Sequence, residues 1–157
     1  MKKSTLYIIQ GFIGAGKSTF SRKLAFEKGA VHLNPDEWVT KLYDKSVYTE
    51  NWNDCFEKTV CQLWDKTKQY LKNGKDVIFD MGFWFKKDRN YAREVATECK
   101  ANLTHYYLNI PDEILKERIK ASRPPEWANM HLKNFDNNKK LFQPPEPDEK
   151  VIVITNF

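Results

Sequence analysis

At 157 residues, with 41% apolar and 14% aromatic side chains, the chain is long enough to bury a core and too aromatic to be disordered. Its formal net charge of +5 is spread along the chain, which suits an anionic small ligand and does not favour nucleic acid as partner. The length leads us to expect a single domain over residues 1–157, as a monomer or small homo-oligomer; three cysteines without metal-ligand spacing, and no run near the ~20 apolar residues of a membrane span, lead us to expect it cytoplasmic and off the membrane.

The first apolar run, Leu6-Tyr7-Ile8-Ile9, reads as a strand and leads into Gly11-Phe12-Ile13-Gly14-Ala15-Gly16-Lys17-Ser18. This is the G-x-x-x-x-G-K-[ST] pattern of a P-loop. Its glycines let the backbone curl so that N–H groups converge on phosphate oxygens at a helix N-terminus. Lys17 would reach the β- and γ-phosphates, and the Ser18 hydroxyl would ligate Mg²⁺. Together with Thr19, this stretch is the expected cradle for ATP. The chain shows no Asn/Thr-Lys-x-Asp guanine selector, which argues against a GTPase.

Phe20 and Leu24 continue a helix of about three turns that stops at Lys28-Gly29. A short buried strand, Ala30 to Leu33, follows. Asn34 then caps a helix with Pro35 at its first position, acids Asp36 and Glu37 in its first turn, and Trp38, Leu42 and Tyr43 inward. Lys45 to Glu50 reads as a loop. From Asn51, Trp52, Phe56, Val60, Leu63, Thr67 and Leu71 step by three and four to Asn73-Gly74, the pattern of a long amphipathic helix.

Asp76 to Asp80 reads as a strand ending in an acid, and Asp88 as the cap of a helix carrying Tyr91, Val95 and Cys99. Leu103 to Leu108 is a further strand, and Pro111-Asp112-Glu113 opens a helix with Leu115 and Ile119 inward, stopped by Pro124-Pro125. Glu126 to Phe142 reads as one helix, Pro144 to Glu149 as a loop, and Val151 to Ile154 as a last buried strand. Five strands alternating with helices predict an α/β domain with a parallel sheet.

Two acids then stand out. Asp80 ends an apolar strand, where a carboxylate beside a P-loop helps hold Mg²⁺. Asp36 follows the second strand, and ligands gather at the carboxyl ends of parallel strands. There it can accept the proton of an attacking hydroxyl, or it can merely complement the helix dipole.

The stretches Gly11 to Ser18, Asn34-Pro35-Asp36-Glu37-Trp38, Phe79-Asp80-Met81-Gly82-Phe83-Trp84 with Arg89, and Leu115-Lys116-Glu117-Arg118 with Arg123 resemble a group of small P-loop kinases. The group includes the zeta toxins, chloramphenicol phosphotransferase and the kinase domain of polynucleotide kinases. The resemblance implies a three-layer α/β fold with a five-stranded, mainly parallel sheet in the order 2-3-1-4-5. It implies ATP and Mg²⁺ as cofactors, Lys17 and Asp36 as catalytic residues with Asp36 the general base, and Arg118 and Arg123 as lid arginines on the transferring phosphoryl group. The chain departs from the polynucleotide kinases in having no arginine between Arg22 and Arg89 to grip an acceptor phosphate. A small-molecule hydroxyl is therefore the expected acceptor, with Asp36, Trp84 and Arg89 as candidate contacts. A nucleotide-hydrolysing module without an acceptor and a polynucleotide 5′-hydroxyl kinase are the alternatives.

Overall fold

Residues 2–156 are described by a computed structural model. Five parallel strands form one sheet in the order β2-β3-β1-β4-β5. In chain order these are β1 (Thr5–Gly11), β2 (Val31–Leu33), β3 (Val77–Gly82), β4 (Asn102–Leu108) and β5 (Ile152–Ile154). The helices are α1 (Lys17–Lys28), α2 (Pro35–Leu42), α3 (Lys45–Tyr48), α4 (Trp52–Lys72), α5 (Lys86–Glu98), α6 (Asp112–Ala121), α7 (Pro125–Lys133) and α8 (Phe135–Leu141). The expected parallel α/β architecture and strand order are those observed.

The central strand β1 explains the layering. Its side chains alternate between two cores, as the two-residue strand period requires. Leu6 and Ile8 join Phe79, Trp64, Leu71 and Val95 on one face, packed by α4 and α5. Tyr7 and Ile9 join Leu24, Leu115, Ile119 and Phe135 on the other, packed by α1, α6 and α8. β1 pairs with β3 from Leu6↔Val77 and with β4 from Thr5↔Asn102 to Gly11↔Leu108, so the carboxyl ends of β1 and β3 finish side by side.

The structure redraws several sequence expectations. The supposed loop at 45–50 contains the single turn α3. The helix read from Glu126 to Phe142 breaks at Asn134 into α7 and α8. In one straight helix Trp127, His131 and Phe135 would share a face, being four residues apart. The break lets Phe135 bury under the P-loop while Trp127 and His131 line the cleft above.

Asp88 is not a cap: α5 starts at Lys86 with Phe85 in the cap position, and Asp88 lies in the first turn. On α2 the buried positions are Pro35 and Val39, four apart, whereas Leu42 turns outward and is 43% exposed. The last strand is not buried either. Among the described residues β5 pairs only with β4, at the sheet edge, and Ile152 and Val153 stay about half exposed. No helix among the described residues is long and apolar enough to cross a membrane.

Candidate active site

The loop between β1 and α1 wraps around a cleft of about 440 Å³. Gly14 (φ 85°) and Gly16 (φ 88°) take left-handed backbone that L side chains avoid. A Cβ on Gly14 would also lie 2.9 Å from the Leu115 carbonyl oxygen and 3.0 Å from Ile119, because α6 rests directly on the loop. Arg118, on the same helix, donates from Nη1 to the carbonyl oxygens of Gly14 (3.4 Å) and Ala15 (3.2 Å). Those bonds orient the two peptides. The structure thus places Arg118 against the loop's carbonyls rather than in a lid, a different post from the one the resemblance implied.

Phe12 anchors the other side of the loop. Its ring stacks on Trp84 (centroids 4.9 Å apart) and meets Phe135 and Phe142 edge-on. Lys17 donates from Nζ to the Phe12 carbonyl at 3.0 Å. Burial lowers the Lys17 pKa, and the carboxylates of Asp80 and Asp36 oppose that shift. Ser18 and Thr19 follow on the cleft wall at the start of α1.

The ends of β2 and β3 supply the acids. Asp80 is 3% exposed, and its Oδ2 accepts from Asn34 Nδ2 at 3.1 Å and lies 3.2 Å from His32 Nε2. Asn34 does two jobs, since its Oδ1 accepts the Glu37 N–H and caps α2. The cap fixes the first turn of α2 and so sets Asp36 on the cleft wall, which Asp80 and Lys17 also line. Burial raises the Asp36 pKa; Lys17 pulls it back, while Asp80 and Glu37 push it further up.

Among the described residues no cluster of three or more His, Cys, Asp or Glu forms a self-sufficient metal cage. The Ser18 hydroxyl and the Asp80 carboxylate are nonetheless hard oxygen donors lining one cleft. That donor set fits Mg²⁺, which takes few protein ligands and completes its shell with water and phosphate oxygens.

The remaining wall comes from Met81, Gly82 and Trp84 after β3, and from Trp127 and His131 on α7. Trp84 Nε1 donates to the Gly11 carbonyl at 3.2 Å. Trp127 and His131, one helical turn apart, meet edge-to-face at 4.1 Å. Sequence reasoning missed both, and missed the His32 and Asn34 grip on Asp80. The aromatic pair at i, i+4 was visible in the sequence, but a helix read as running straight to Phe142 gave it no cleft to face.

Arg89 is a correction. It is fully buried, with Nε and Nη2 donating to the two carboxylate oxygens of Glu149 (2.7 and 2.9 Å) and Nη1 donating to the Phe83 and Gln143 carbonyls, 3.1 Å each. No face is left for an acceptor. It pins the turn Gly82–Phe83, where Phe83 holds an unusual φ of 49°, and thereby aims Trp84 at the P-loop. Arg123 is exposed between α6 and α7 and does not line the cleft.

Residues 6–145 match the AAA domain as a family. An L-seryl-tRNA(Sec) kinase of Methanococcus maripaludis is 30% identical over 134 residues, which is 83% of this chain and 50% of that protein. The chain therefore spans about half the length of this curated relative. Among solved structures, a candidate kinase from Chloroflexus aurantiacus superposes with a TM-score of 0.72 at 17% identity, covering 99% of this chain and 86% of that one. Kti12 from Chaetomium thermophilum, solved with ADP-AlF3, gives a TM-score of 0.68 at 17% identity, covering 96% and 88%. A gluconokinase from Sinorhizobium meliloti gives 0.64 at 13% identity, covering 99% and 84%. At such identities these structures share the fold, that of small P-loop kinases.

Proposed function

The chain belongs to the AAA-domain family, and from that premise and the cleft we propose that it is an ATP-dependent phosphotransferase acting on a hydroxyl of a small molecule. The observation that carries this reading is the meeting of Lys17, Ser18, Asp36 and Asp80 on one cleft at the carboxyl ends of parallel strands. The backbone of residues 11–19 and Lys17 hold the triphosphate. Ser18 and Asp80 would hold Mg²⁺, which when bound supplies positive charge against the β- and γ-phosphate oxygens.

Asp36 is the general base. Its raised pKa makes it a better proton acceptor than an ordinary surface carboxylate. As the acceptor oxygen bonds to the γ-phosphorus, its proton passes to the Asp36 carboxylate, the bond to the bridging oxygen breaks, and ADP leaves. Arg123, exposed at the α6–α7 junction and outside the cleft wall, would swing in to meet the transferring group, while Arg118 keeps the loop in shape. Positioning and charge neutralisation supply the rate.

Asp36→Asn tests this. Transfer of label from γ-labelled ATP should fall by about 10²- to 10⁴-fold, with half-saturating ATP unchanged. Full activity in that variant removes Asp36 as the base. A second reading, a hydroxyl carried on RNA, draws on the seryl-tRNA(Sec) kinase relative. It calls for RNA binding that weakens steeply with salt.

A further inference from the structure

Resting on the phosphotransferase reading, we infer that the acceptor is a low-molecular-weight alcohol that carries no negative charge and presents a ring face to the cleft. The charges around the cleft lead there. Beyond the phosphate loop the side chains on its wall include Asp36, Asp80, Met81, Trp84, Trp127 and His131. Among the described residues that line it are two carboxylates and no arginine, and its one lysine, Lys17, belongs to the loop.

Four of the chain's five arginines are already held by other contacts. Arg89 and Arg93 are bound to Glu149, Arg22 pairs with Glu37 at 3.3 Å, and Arg118 holds the Gly14 and Ala15 carbonyls. The fifth, Arg123, is exposed at the α6–α7 junction and does not line the cleft; on the phosphotransferase reading it serves the transferring group. Burial pushes the His131 pKa below its ordinary value, which disfavours a charged imidazolium on that wall. A carboxylate or phosphate on the acceptor would thus meet the Asp36 carboxylate, whose charge has its own sign, with no fork to receive it.

The shape of the wall points the same way. Trp127 and His131 present an edge-to-face aromatic pair, and Trp84 is held in place by its bond to Gly11 and its stack on Phe12. Rigid aromatic surfaces reward a flat or apolar ring and do little for a short, fully hydrated chain.

The acceptor's charge class can be measured before its identity is. A small-molecule extract of the source cells is split on an anion exchanger into a retained, anionic pool and an unretained, neutral and cationic pool, and the total RNA is taken separately. Each is incubated with the full chain, Mg²⁺ and γ-labelled ATP. Label should enter products of the unretained pool. Trp127→Ala should raise the half-saturating amount of that pool about tenfold, with half-saturating ATP unchanged. Label that enters the anionic pool or the RNA overturns the proposal and leaves the phosphotransferase reading standing. A Trp127→Ala effect on ATP alone also overturns it, by assigning the aromatic wall to the nucleotide base. Phosphate release with no labelled product in any arm overturns the phosphotransferase reading itself.

Discussion

Replacing Arg89 with alanine separates a structural from a substrate-binding arginine. The guanidinium is fully buried and holds both Glu149 oxygens and two carbonyls that close the turn at Phe83 and the segment at Gln143. Gln143 in turn accepts from Gln10 at 2.9 Å and donates its N–H to the Trp84 carbonyl at 2.8 Å, so the pocket wall depends on the same knot. Deleting one partner of a buried ion pair costs about 3–5 kcal/mol, because the other charge is left stranded. Arg93 also bonds Glu149 and would remain, which favours the lower end, about 3 kcal/mol. For a domain of this size that is a fall in Tm of roughly 6–12 °C.

Thermal and urea unfolding measure it directly. Arg93→Ala, whose side chain is partly exposed, should cost no more than about 1 kcal/mol. The paired change Arg89→Met with Glu149→Leu should recover only part of the loss, since a packed apolar pair needs no counter-charge but leaves the Phe83 and Gln143 carbonyls without their donor. An Arg89→Ala protein that melts like the parent yet fails to transfer phosphate would refute this reasoning and return Arg89 to the acceptor.

The two remaining arginines of interest should part company in kinetics. Arg118→Ala should raise half-saturating ATP by slackening the loop, whereas Arg123→Ala should lower kcat by about 10³-fold with ATP binding nearly intact. Acidification should destabilise the fold through His105, whose Nε2 bonds Gln10 Oε1 at 2.7 Å and whose pKa burial lowers from 6.5 to about 4. The unfolded chain takes up that proton first, so stability is full above about pH 6.5 and is lost towards pH 4. The loss is at most about 3 kcal/mol, and His105→Gln should flatten that part of a stability–pH curve. Glu149 acts in the same sense at lower pH: burial raises its pKa, but its bonds to Arg89, Glu146 N–H and Arg93 hold it far below 4.5. Gly14→Ala should cost both stability and nucleotide affinity, because a left-handed φ and a backbone oxygen at 2.9 Å leave no room for the methyl group.

Local chemistry determined a large part of this protein. The P-loop pattern, the Asn34-Pro35 helix start and the continuous apolar run of β1 each depend on residues adjacent in the chain, and each stands where the sequence placed it. Parallel order followed from strands that alternate with helices, since parallel neighbours need a crossover between them. Only the tertiary structure decided the fate of long-range groups. Arg89 looked free because Glu149, its partner, lies 60 residues on. Arg118 read as a lid residue because nothing in the sequence says that α6 rests on Gly14. The same holds for Trp127 and His131, which face the cleft only because Asn134 breaks the helix and sends Phe135 beneath Phe12. A sequence reports periodicity and local turn preference; which charges neutralise one another depends on packing between segments far apart in the chain, and that is settled only when the chain has folded.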